Sequence, residues 1–445
     1  MGDKGVKLIT KGNNKMDKNI QDNFIKILEE ELIPAMGCTE PIALAYASAR
    51  CREILGCEPE KINAYCSGNM IKNVRCVSIP NSQGMIGIEA ACALGALAGD
   101  ASKCMEVLEA VDDAGRNAAE QFVNNKNCHV EFLDSEIPLH FIIEMSSGNE
   151  SASVEVRHSH TNIYRIKKNG SVLENVSGME GNLGNVENAK TYADRSQLSI
   201  ENIKQFADEV DLSKVRHLFD RQIQYNMDIA YEGMSGNYGL GLGRVIRETY
   251  AESVVTRMKA YACAASEARM GGCDMPVIIN SGSGNQGIAS SVPVIVYARE
   301  NNIQSEKLYR ALVFSSLLTT FQKEFIGKLS AFCGAVSASC ASATAITYLA
   351  GGTIKQIKDT IDNTLANIPG IICDGAKISC AAKIASSLDA AMMGHYLAMK
   401  GKAYEAYTGI LKEEAGETIS CVGYIGKVGM HQTDKEIIKM MLEEK

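Results

Sequence analysis

The chain has fifteen cysteines but no Cys-x-x-Cys pair anywhere in its 445 residues. That absence excludes zinc ribbons and bacterial ferredoxin runs, whose ligands lie close together in sequence. Any metal site must gather thiolates from distant segments. Basic excess is also missing. The formal net charge is -8, whereas a nucleic-acid partner would need a basic face. No positively charged start leads into an apolar run, so no secretory signal is read. Cysteines without that signal point to a reducing cytoplasm. The stretch between Lys328 and Lys355 lacks charge but also lacks large apolar residues, being rich in Ala, Ser, Gly and Thr. It reads as a tightly buried helix pair, not as a membrane span.

What is present is ordinary globular material: 46% apolar and 22% charged residues, in a chain long enough for two or three domains. Residues 1–15 are rich in Lys, Gly and Asn and read as a disordered start. Ile20, Phe24, Ile27, Leu28 and Leu32 then recur at helical spacing. A second helix is expected from Thr39 as N-cap to about Gly56, with Glu40 and Pro41 in its first turn. Residues 61–66 and 74–79 read as strands around a Ser67-Gly68-Asn69 turn, and 86–98 and 102–124 as helices. Residues 128–173 alternate apolar and polar, as a β-meander would. Residues 176–195 read as a linker, and helices dominate from about 198, with a possible strand at Pro276–Asn280. The expected fold class is α+β: a mainly helical body, residues 16–58 plus 198–445, interrupted by an α+β module at 59–195.

Three cysteines stand where helices are expected to begin. Cys38 precedes the Thr39 helix, Cys333 lies in the first turn of a helix that Ser330 would cap, and Cys373 precedes Asp374, the expected N-cap of a helix over 375–392. A helix N-terminus favours a thiolate. Each cysteine alone also suits a packing role. Together they supply the ligand count that holds an iron–sulfur cluster while leaving one iron open. Cys340 and Cys380 each follow one of the three by two helical turns, about 10 Å along a helix, and are read as packing residues. Cys51, Cys57, Cys92, Cys104 and Cys263 are read as small hydrophobes on helix faces.

Met36-Gly37-Cys38-Thr39-Glu40-Pro41, Ser330-Ala331-Phe332-Cys333-Gly334 and Ile372-Cys373-Asp374-Gly375-Ala376-Lys377 resemble motifs of the iron–sulfur L-cysteine desulfidase family and its bacterial relatives. The likeness runs through nearly the whole chain after about residue 18. It includes Ser67–Asn73 and Gly429-Met430-His431-Gln432-Thr433-Asp434. The helical part is more distantly similar to the α portion of iron–sulfur L-serine dehydratases. The resemblance implies a [4Fe–4S] cluster on Cys38, Cys333 and Cys373. It also implies β-elimination from L-cysteine, giving pyruvate, ammonia and sulfide. L-serine dehydration by the same chemistry is the nearest alternative. A non-catalytic protein that senses an amino acid or redox state is a second, disfavoured by the lack of a recognisable output or DNA-binding module.

A substrate carboxylate needs a cradle. Asn280–Gly287 follows the possible strand and opens a helix, so its backbone N–H groups can meet an anion. A plain turn and a nucleotide loop remain open readings, the latter weak without a βαβ repeat. Ser281, Ser283 and Asn285 are the candidate contacts, with Ser67, Asn69, Ser235 and Asn237 from the other Ser-Gly-Asn copies, where turn chemistry also suffices. Candidate bases are Lys328, Lys377 and His431, with Lys72 also beside a motif. His395 reads as a packing histidine. His158 and His160 are placed on one strand face. The long helices rich in small residues suit a homodimer.

Overall fold

The computed structural model describes residues 15–175, 192–327 and 330–443. The expected disordered start, most of the 176–195 linker and Lys328 lie outside the described residues. Among those described, no helix is long and apolar enough to cross a membrane.

Among the described residues, eight short strands form two sheets. β1 (Pro34–Met36) pairs antiparallel with β8 (Pro276–Ile278) as a ribbon. The other six are β2 (Lys61–Cys66), β3 (Cys128–Phe132), β4 (His140–Ser147), β5 (Glu150–Arg157), β6 (Ile163–Lys168) and β7 (Ser171–Asn175), in the order β3-β2-β4-β5-β6-β7. β4 to β7 are the expected meander, closed by hairpin turns with Gly148 and Gly170 at positive φ. β3 instead pairs parallel to β2, because the connection between them is a helical crossover in which Ile88–Ala98 packs on both strands and Asp113–Asn124 packs on that helix.

Packing gathers the chain into two main apolar cores. The helix Thr39–Leu55 is buried on nearly every side. It packs with the helix Ile88–Ala98 and strands β4 and β5, in one apolar core with Ile62, Phe141, Ile143 and Val154. The seam between the two cores lies near Gly37 along the chain. The other core joins Lys18–Glu31 to the helices from Ile200 onward. Between them lies a small cluster of Cys38, Val77 and Met270, with Ala376 and Ile378 against it.

Several local expectations change. Ser67-Gly68-Asn69 opens a short helix, Gly68–Val74, instead of turning between strands, and residues 74–79 contribute only an isolated bridge from Ser78 to Ile86. Cys38 and Cys333, not Thr39 and Ser330, are the N-cap residues of their helices. The third helix begins late. Asp374 caps nothing. Its carboxylate pairs with Lys377 and Lys383, and the helix Cys380–Met399 starts after Ser379. The stretch from Cys333 to Cys373 closes as a helical hairpin, Gly334–Leu349 and Ile354–Asn367. Its ends are pinned by a bridge between Phe332 and Ile372, with the Cys333 N–H donating to Ile371 (2.9 Å) and the Cys373 N–H to Ala331 (2.6 Å).

Candidate functional site

A buried cavity of about 100 Å³ opens at the seam. Cys38, Cys333 and Cys373 all line it. Cys38 arrives from the end of β1, after Gly37 turns the chain at φ +55°. A side chain at Gly37 would sit 2.1 Å from Pro80. Cys333 and Cys373 arrive together, set side by side by the bridge at the hairpin's base.

Their electrostatics differ. Burial raises the Cys38 thiol well above its ordinary pKa, helped by the neighbouring Glu40 carboxylate. Cys333 is also raised, first by its interaction with Cys373 and then by burial. Cys373 goes the other way, to about 6. The Cys333 thiol supports its thiolate, and Lys72 and the Gly375 N–H add to that effect against the cost of burial. Gly375 is obligatory here: φ is +97°, and a Cβ would lie 2.1 Å from the Lys72 carbonyl oxygen.

Cys380 lines the same cavity, although it was expected to lie two helical turns away. Residues 373–379 are not α-helical, so the seven-residue spacing spans a loop. Cys340 is buried within its helix, its thiol pushed up to about 12 by burial, and does not line the cavity.

The opposite wall is the start of the helix Gly284–Glu300, which follows β8. Ser281, Ser283 and Asn285 reach the cavity, with Gly282 and Gln286. The Thr39 hydroxyl donates to the Gly282 carbonyl at 2.9 Å, fixing this loop against the Cys38 turn. Gly334 leaves room for Gln286, whose side chain would lie 2.5 Å from a Cβ there.

Five charged or titratable groups complete the lining or stand beside it. Glu40 accepts from Cys38 (3.1 Å), Thr39 (3.0 Å) and Asn73 (3.0 Å). Burial pushes its carboxyl up, but His160 and the Cys38 thiol outweigh this and hold it below the usual range. His160 and Arg269 line the cavity too. Lys323 is buried on the helix Ser305–Ile326 and makes no hydrogen bond or ion pair among the described residues. Burial lowers its ammonium to about 8, against the pull of Cys373 and Cys333. Lys72 is buried in an ion pair with Asp434.

The remaining sequence candidates lie elsewhere. Ser67, Asn69 and His431 line a larger groove of about 730 Å³, under the helix His431–Glu443. There the Ser67 hydroxyl donates to Pro138 at 2.7 Å and the Asn69 amide to Asp434 at 2.8 Å. Lys377 is held by Asp374. Ser235, the last residue of the helix Leu212–Ser235, and Asn237, just past it, are exposed and away from the cavity. The two histidines do not share a strand face, since β5 ends at Arg157. His158 lines the groove and His160 the cavity. His395 is buried beside Thr347 (2.8 Å), its pKa lowered to about 4 by burial.

A profile of the serine dehydratase alpha chain matches residues 102–439. The chain belongs to the serine dehydratase alpha chain family. Relatives extend the match over nearly the full length. A UPF0597 protein of Desulfitobacterium hafniense is 45% identical over 421 residues, 95% of this chain and 96% of that protein. One from Lachnoclostridium phytofermentans is 45% identical over 419 residues, 94% and 99%. One from Parabacteroides distasonis is 37% identical over 431 residues, 96% and 99%. The mainly helical body with its small mixed sheet is of the expected α+β class.

Among the described residues no three His, Cys, Asp or Glu side chains stand close enough to share one metal ion. A four-iron cube makes a different demand, because each cysteine binds its own iron. The donor set suits that group in kind and number, and Cys333 and Cys373 stand close enough here to hydrogen-bond to each other. Three thiols from three segments face one buried space, with Lys72 and Lys323 positioned to favour thiolates.

Proposed function

We propose that this chain is an iron–sulfur-dependent lyase that removes the β-substituent of a small L-amino acid, with L-cysteine as substrate. One observation carries the reading: three cysteines, a helix N-terminus and a buried lysine without a hydrogen-bond or ion-pair partner among the described residues line one small cavity. Cys38, Cys333 and Cys373 would hold a [4Fe–4S] group. Bound there, it supplies a Lewis-acidic iron that makes thiol or hydroxyl a better leaving group.

The chain's own residues do the rest. Backbone N–H groups at Gly284 and Asn285 and the Ser283 hydroxyl receive the substrate carboxylate, while the Ser283 N–H and the Ser281 hydroxyl brace the loop by donating to Asn280 (3.0 and 2.8 Å). Glu40, held anionic, faces the substrate ammonium. Lys323 takes the α-proton, because a lysine desolvated to about 8 has a usable neutral fraction near neutral pH. The Cα–H electron pair becomes the Cα–Cβ double bond, and the Cβ–S pair leaves with sulfur as sulfide. The freed aminoacrylate tautomerises and hydrolyses to pyruvate and ammonium. Burial excludes competing water while the bond breaks.

L-Serine is the second reading, favoured by the family match. Anaerobic reconstitution followed by iron, labile-sulfide, pyruvate and sulfide assays with both amino acids separates the two. Roughly four irons per chain, with sulfide and pyruvate released together from L-cysteine, is the expected result. Protein that takes up no iron overturns both readings. A homodimer is part of the same proposal, and sedimentation velocity checks it.

A further inference from the structure

Arg269 sits near the end of the helix Val254–Met270 and is 2% exposed. It makes no hydrogen bond or ion pair among the described residues, and its Nε is fully enclosed without an acceptor. The guanidinium lies across the N-terminus of the helix Gly284–Glu300. A Cβ built at Gly284 would stand 2.2 Å from Nε and 2.5 Å from Cζ. Any residue but glycine there would displace it. The nearby carboxylate is already engaged: Glu40 accepts from Cys38, Thr39 and Asn73 and feels Arg269 only at a distance.

This arrangement is unfavourable as it stands. A buried guanidinium without partners carries a desolvation cost. The positive end of a helix dipole beside it adds repulsion. Folding alone gives no return for that cost, since Arg269 joins no network. A small anion placed between the guanidinium and the helix start would satisfy both at once. The planar fork of Arg suits a carboxylate in two-point contact.

We propose that Arg269 and the N-terminus of the Gly284–Glu300 helix together form the α-carboxylate subsite, and that Arg269 restricts the ligand to free 2-amino acids. The assignment rests on the amino-acid lyase reading for the identity of the ligand, but not on turnover. Glu40 on the facing wall then selects the ammonium group, so amines without a carboxylate and capped peptides are both rejected.

The test uses anaerobically reconstituted protein and calorimetric titration with L-alanine, which has the carboxylate and ammonium but no leaving group. L-Alaninamide, which replaces the carboxylate by a neutral amide, is the control. The wild type is expected to bind L-alanine about 100-fold more tightly than L-alaninamide, as charge-assisted contacts in a buried site require. Arg269→Gln should weaken L-alanine about 100-fold and abolish that discrimination, whereas Arg269→Lys should recover part of it. Equal wild-type affinity for the two probes overturns the proposal, and needs no variant to fold. So does an Arg269→Gln protein that keeps L-alanine affinity but takes up less iron, since Arg269 would then serve the thiolates. If no pyruvate forms from any amino acid, but the L-alanine preference and its loss are observed, the lyase reading falls and the carboxylate subsite stands.

Discussion

At the scale of single residues, the site is built by burial acting on charges that lack their usual partners. Cys373 is the thiol most ready to be an anion, because Cys333 and Lys72 both support that form. Cys373→Ala should therefore abolish iron retention after anaerobic desalting, and pyruvate release with it, while the circular dichroism spectrum stays unchanged. Lys323→Met should behave differently. Removing the proposed base should cut the turnover rate about 10²–10⁴-fold while iron content is retained, so paired iron and rate measurements separate the two roles. Neither Lys323 nor Arg269 was legible as a site residue in the sequence. Each lies inside a helix whose surroundings come from remote segments, and sequence spacing does not report what those segments contribute. A signal existed for Lys323: residues 311–322 carry no charge before it, and a cation ending such a run is unusual on a buried helix. The cysteines were legible because Gly and Pro neighbours mark them as helix boundaries. Glu40 was visible only as a first-turn acid, a role that exposed helices share.

At the scale of elements, close approaches set the cavity walls. Gly375→Ala should destabilise the fold by about 2–4 kcal/mol, combining positive-φ strain with a collision against the Lys72 carbonyl. Chemical denaturation measures this. The Ser281–Gly287 turn and its helix followed from the sequence because glycines and a β-branched strand precede an apolar helix there. The late start of the Cys380–Met399 helix did not, because Asp374 resembles a capping residue in sequence. In the structure its carboxylate is drawn to Lys377 and Lys383 and held down near 2, against burial, by those two lysines. The meander was recognisable from alternation, whereas the parallel return of β3 depended on a crossover that alternation does not encode.

At the scale of the whole molecule, buried charges tie distant segments and give stability a pH dependence. Asp434, near the C-terminal end of the described chain, neutralises Lys72 beside the Cys373 loop. Asp434→Ala should cost about 3–5 kcal/mol by leaving a buried ammonium alone, visible as a lower melting temperature. Asp362 works in the other direction. Burial raises its carboxyl to about 6, and its Oδ1 has no hydrogen-bond partner. The folded state then holds a proton that the unfolded chain has released above its ordinary 3.8, so stability falls as pH rises from about 4 to about 6. Asp362→Asn should remove this slope, which melting curves at pH 5 and pH 8 would reveal as a gain at the higher pH.

The position of Cys38 has a mechanical consequence. Its helix belongs to the apolar core that holds the sheet, while Cys333 and Cys373 hang from the other core. A group gripped by all three is a rivet between two cores that are otherwise joined by a small apolar cluster and a few polar ties, among them Lys72–Asp434 and Thr39–Gly282. Riveted protein should melt in one calorimetric transition, and protein stripped of the group in two, with the half carrying Cys38 free to part from its neighbour. Oxygen damage at such a centre would then loosen the molecule as well as silence it.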